Sequence, residues 1–131
     1  MWGESAGGYL AAMAGVTDTA VDAVVDCFGG SDLSLLAEDL DEPTRAGYRE
    51  PDNHIAAFLG EPGHGLHEIP DAVARANPTT HIDGSEPPFL LLHGSDDRLV
   101  SPSQTLRLHA ALRAAGVDST RYVLRLSLIH I

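Results

Sequence analysis

Phe89-Leu90-Leu91-Leu92-His93 narrows the folds open to this chain more than any other segment: it is an uninterrupted apolar run, entered through Pro87-Pro88 and stopped by Gly94. An unbroken run, rather than an alternating one, marks a strand covered on both faces, and such strands belong to parallel sheets layered with helices. The following residues agree. Ser101 is placed to cap a helix that Pro102 begins, and Gln104 would complete a capping box. Leu108, Ala111, Leu112 and Ala115 then recur at helical spacing before Gly116 supplies a stop. Thr120-Arg121-Tyr122-Val123-Leu124 is a shorter strand candidate. Strand, helix, strand in this order is a βαβ unit with a right-handed crossover.

A further strand candidate, Val21 to Phe28, ends at Gly29-Gly30. Upstream, Gly8 to Ala14 predicts a helix that Gly15 stops. Residues 31–83 hold scattered Pro, Gly and charge, with short apolar pieces at Leu33–Leu36, Ile55–Leu59 and Ile69–Ala76. They read as an excursion of short helices and loops after a strand's carboxyl end, where a binding-site wall is expected. The length, 131 residues, suits one domain with a modest core. No apolar run is long enough to span a membrane, so no membrane partner is expected. The formal charge is −11, from 19 acidic and 8 basic residues, and such a surface repels phosphate backbones, arguing against nucleic acid. Cys27 is the single cysteine, which excludes an internal disulfide and suits a buried small side chain. One thiol fits a reducing compartment such as the cytoplasm but leaves localisation, like oligomeric state, open.

Two constellations carry chemistry. Gly3-Glu4-Ser5-Ala6-Gly7 has the form G-x-S-x-G, in which a strand turns sharply into a helix and lifts the serine hydroxyl outward. The flanking glycines make room for the turn, and the next backbone N–H and the helix N-terminus can hold an oxyanion. The plainer alternative is a glycine-rich turn with Ser5 as an ordinary helix cap. The second constellation is His93-Gly94-Ser95-Asp96-Asp97-Arg98-Leu99-Val100, directly after the strongest strand. A carboxylate there, on the same rim as the serine, can orient a histidine. Either aspartate could instead form a turn or cap the next helix, and Asp96 is read that way.

Trp2 to Gly8, Pro87 to Val100 and Ala110 to Val117 resemble the esterase and lipase branch of α/β-hydrolases. Similarity is greatest to BD-FAE-like carboxylesterases, with prolyl-oligopeptidase-type peptidases as relatives. Asn77 to Ile82 is also similar to the segment that family places before its acid-bearing strand. The resemblance implies a partial doubly wound α/β-hydrolase, a three-layer αβα fold of mostly parallel strands with the N-terminal half of the sheet missing. Residues 1–125 would be the C-terminal part of that domain. It implies hydrolysis of small carboxylic esters by a Ser-His-Asp acyl-enzyme route without metal or cofactor. Ser5 would be the nucleophile, Asp97 of the HGxxD pattern the triad acid, and Ala6 a backbone oxyanion donor. A peptidase of the prolyl-oligopeptidase type and a non-catalytic binding module are the alternatives.

The family carries an HGG-type loop and several strands ahead of the elbow, whereas only Met1 and Trp2 precede Gly3 here. The expectation is therefore a fragment, inactive alone, whose elbow strand is essentially absent and whose sheet ends in a raw edge. Leu126 to Ile131 reads as a translated transposase adapter sequence, which makes His130 a decoy for the triad histidine. His93 is expected to be structural and His109 half-buried on its helix. His64 and His67 lack a third ligand at recognisable spacing. His54 and His81 are expected in loops or at the surface.

Overall fold

The computed structural model describes residues 1–125. Four parallel strands, β1 (Trp2–Glu4), β2 (Val24–Cys27), β3 (Phe89–Gly94) and β4 (Ser119–Leu124), lie side by side in chain order. That order has a consequence. Right-handed crossovers that all step in one direction put every connection on the same face of the sheet. The two long helices, α1 (Ala6–Thr17) and α5 (Ser103–Ala114), do lie over one core there. They bury Ala11, Ala12, Leu108 and Leu112 against Val24, Phe89 and Leu91. On the other face Trp2, Tyr122 and Leu124 are more than half exposed, and Leu90 and Leu92 are half-buried. The described residues thus form one wing of a doubly wound sheet, with β3 fully covered on a single side.

Residues 31–83 lie between β2 and β3 as short helices and connecting turns. They include α2 (Glu42–Gly47), α3 (His54–Phe58) and α4 (Pro70–Ala76). The excursion has its own small core, where Leu33, Leu36, Ala56, Leu66, Ile69 and Val73 close around Tyr9 of α1. Asn77 ties it down, its side chain accepting from Leu33 N at 2.8 Å.

Several local expectations are corrected. The elbow strand is present: three residues suffice because Met1 O accepts from Val25 N at 2.9 Å and the amino terminus donates to Ala23 O at 2.8 Å. β2 is shorter than expected, beginning at Val24 and ending where Phe28 turns into the left-handed region at φ 49°. α1 does not stop at Gly15. A Cβ there would lie 2.4 Å from Val24 Cγ2 and 2.9 Å from Phe89 Cζ, so this glycine serves close helix–sheet contact.

The capping box is also absent. Ser101 Oγ accepts from Ser103 N at 3.2 Å, while Gln104 is buried and faces the other way. Its Oε1 accepts from Ser31 N at 2.8 Å and Asp32 N at 2.9 Å, fastening the start of the excursion to α5. Gln104→Met keeps the bulk but strands both N–H groups. Its urea unfolding should show a loss on the order of 3 kcal/mol.

Candidate active site

Ser5 sits where β1 becomes α1, at φ 53° and ψ −119°, a conformation that non-glycine residues adopt only under constraint. Two bonds impose it. Ser5 N donates to Cys27 O at 2.9 Å, and Ser5 O accepts from Tyr9 N at 3.0 Å. The turn is too tight for side chains on its inner side. A Cβ on Gly3 would lie 2.1 Å from Gly7 O, and one on Gly8 would lie 2.3 Å from Asp26 Oδ1. Gly7, the second glycine of the motif, differs from expectation, because a Cβ there meets nothing within 4 Å. Ala6 opens α1, so its N–H belongs to the first turn, which has no partner carbonyl within the helix, at the positive end of the helix.

Asp97 lies just past β3 and is buried. Its Oδ1 accepts from Leu99 N at 2.9 Å and Val100 N at 3.0 Å, shaping the turn that follows. Its Oδ2 is buried without a hydrogen bond among the described residues, 3.4 Å from His93 Nε2. His93 Nε2 also lies 2.9 Å from Val100 O. A carbonyl can only accept, so this nitrogen carries the proton. Nδ1 then accepts from Thr105 Oγ1 at 2.9 Å, and Arg121 Nε donates to that same oxygen at 3.0 Å. Burial holds the His93 pKa below its ordinary value. A neutral, enclosed imidazole therefore braces the Asp97 turn from behind.

Because all four strands run in parallel, Ser5 after β1 and Asp97 after β3 reach the same rim. The single strand between them sets a lateral gap of about 10 Å, more than a direct contact spans. A cavity of about 430 Å³ opens at Ser5 and Ala6. Tyr9 and Leu10 of α1, Leu36, Tyr48 and Phe58 of the excursion, and Leu99 and Val100 of the Asp97 turn form its walls. Tyr9 and Phe58 meet edge to face with ring centroids 6.0 Å apart. Asp97 itself lines an adjoining polar cleft with Asp39, Asp41, Asp96, Ser101 and Ser103.

One residue of this cavity escaped the sequence reading. His54 is exposed, as expected, but it opens α3 on the cavity wall, with its ring centroid 5.9 Å from that of Tyr48. No motif surrounds it, so nothing local could have marked it. His109 is half-buried, with Nδ1 2.8 Å from Ser119 Oγ, and His81 Nε2 lies 2.7 Å from Arg75 O. His64 and His67 are exposed, and among the described residues no group of three or more His, Cys, Asp or Glu could hold a metal. His130 and the tail 126–131 lie outside the described residues.

A parallel sheet with a strained serine at a strand-to-helix turn defines the α/β-hydrolase class. Within it, residues 1–112 match the BD-FAE family, and the chain belongs to that family. It is 30% identical over 135 residues to Esterase LipC of Mycobacterium tuberculosis, covering 92% of this chain and 31% of the relative. Esterase LipQ of the same organism is 30% identical, with coverages of 92% and 29%. The chain therefore spans about a third of the length of these relatives. Among solved structures, a truncated carbohydrate esterase from gut microbiota superposes with a TM-score of 0.83 at 25% identity, covering 98% of this chain and 51% of that one. A Mycobacterium tuberculosis puromycin-hydrolyzing peptidase shares the fold, with a TM-score of 0.75 at 24% identity and coverages of 97% and 18%.

Proposed function

We propose that this chain carries the nucleophile and acid of a serine esterase that cleaves small carboxylic esters. The observation behind the proposal is that Ser5, Ala6 and the turn made by Asp97 border one apolar cavity. In this reading Ser5 Oγ attacks the ester carbonyl and passes its proton to a histidine. The Ala6 N–H and the positive end of α1 stabilise the oxyanion. Collapse expels the alcohol, which takes up that proton, and water then releases the acid from Ser5. Asp97 Oδ2, buried and unbonded among the described residues, is the acceptor that would orient the imidazole. Residues 31–83 form the wall that holds the ester. No step calls for a metal or cofactor.

The test, made on a protein of the relatives' full length that contains this chain, compares turnover of p-nitrophenyl esters with that of peptide amides, with Ser5→Ala as the control. Faster turnover of esters, lost in the variant, is expected. Dominant cleavage of amides would instead make the protein a peptidase, and equal turnover in Ser5→Ala would remove the serine mechanism.

A further inference from the structure

The proposed mechanism makes no use of Asp26, although this carboxyl is fully buried directly beneath the elbow. On β2 it is registered with Gly3 of β1 on one side and Leu91 of β3 on the other. Its Oδ1 accepts from Gly29 N at 2.8 Å, and among the described residues its Oδ2 has no partner. Two glycines leave the space that it fills. A Cβ on Gly8, three residues past Ser5, would lie 2.3 Å from Oδ1, and a Cβ on Gly29 would lie 2.5 Å from it. The next residue, Cys27, provides the carbonyl that holds Ser5 N.

We propose that Asp26 is a positioning residue for the Ser5 elbow, its buried carboxyl wedging the first turn of α1 against the loop that follows β2. The inference rests on the reading of Ser5 as nucleophile, and it adds a proton-dependent control of that serine. When the carboxyl is protonated, the wedge is neutral and one oxygen is matched by Gly29. When it ionises, two consequences follow. A negative charge appears under the end of α1 that would hold the oxyanion, and the unbonded oxygen competes for N–H groups of the same turn. The titratable or charged groups on the packed elements are Glu4 of β1, Cys27 of β2, Tyr9 of α1 and His93 of β3, with Arg121 of β4 one strand further along the Leu91 row. None is hydrogen-bonded to Asp26; Gly29 N is its one bond among the described residues. Burial pushes the carboxyl up to about 7, which puts the change in the neutral range.

The experiment follows the backbone amide resonances of Ser5, Ala6 and Gly29 from pH 5 to 9 in the ¹⁵N-labelled chain and in Asp26→Asn, which keeps an acceptor for Gly29 N. In parallel, the rate of Ser5 modification by a fluorophosphonate is measured with and without Asp26→Asn in a protein of the relatives' full length that contains this chain. The expected result is a shared midpoint near pH 7 for the three amides in the wild type, absent from the variant. The labelling rate should fall on the order of tenfold above that midpoint in the wild type and stay level in Asp26→Asn. Ser5 and Ala6 amides that do not titrate, or that titrate identically in the variant, would overturn the proposal. Amides that titrate as expected in a protein never labelled at Ser5 would uphold the wedge and remove the nucleophile reading instead.

Discussion

Gly3→Ala is expected to lower stability by about 3 kcal/mol or more and to abolish the reactivity of Ser5. The added methyl would sit 2.1 Å from Gly7 O and 2.3 Å from Gly7 C, both backbone atoms of the first turn of α1. No rotamer change relieves such a contact, because a Cβ has no rotamers. Either β1 leaves the ladder that it forms with β2, or α1 shifts off the sheet. Both break the bond from Ser5 N to Cys27 O, one of the two that hold the serine at its positive φ. Gly7→Ala is the matched control. Its Cβ meets nothing within 4 Å, and alanine is the better helix former, so a gain of up to about 1 kcal/mol is expected. Urea unfolding of the two variants measures the contrast. Equal losses at Gly3 and Gly7 would show that the turn is not packed as described.

The second large effect is one of pH. Burial raises the Asp26 carboxyl to about 7, against the opposing bond from Gly29 N. An unfolded aspartate titrates near ~3.9. Between these values the native chain retains a proton that the unfolded chain has lost, so stability falls as pH rises. The total loss is roughly 4 kcal/mol, absent in acid below the unfolded pKa and complete above the folded one. Asp26→Asn cannot ionise, so this slope should vanish from its stability profile. The two proteins are expected to converge near pH 4 and to separate at pH 8 with the variant more stable. Denaturant midpoints at unit pH intervals measure this directly. Parallel profiles for the two proteins would mean that Asp26 is solvated.

Much of this architecture was legible in local sequence. The unbroken run Phe89–His93 and the glycine stop at Gly116, which adopts φ 81°, mark elements that local propensity alone can place. The elbow was legible for a similar reason, since few other turns combine strand, serine and small residues so closely. What stayed hidden depends on contacts distant in sequence. Gly15 resembles a helix stop but is explained by Val24 and Phe89 across the interface. Gln104 resembles a capping residue, yet its partners lie more than seventy positions away. Asp26 reads as one polar residue in an apolar strand until Gly8 and Gly29 are folded against it. The walls of the cavity come from residues 31–83, whose short apolar pieces have no period that points inward, and so His54 could not be singled out.

Reaction of a fluorophosphonate probe with a protein of the relatives' full length that contains this chain, followed by peptide mapping, tests most directly whether the strained serine and the carboxylate turn serve one site. Modification is expected at Ser5 alone, lost in Ser5→Ala and slowed in Asp97→Asn, while an ester that fills the cavity protects against it. Attachment at another serine, such as Ser101 or Ser103 in the neighbouring cleft, or undiminished modification of Ser5→Ala, would contradict it.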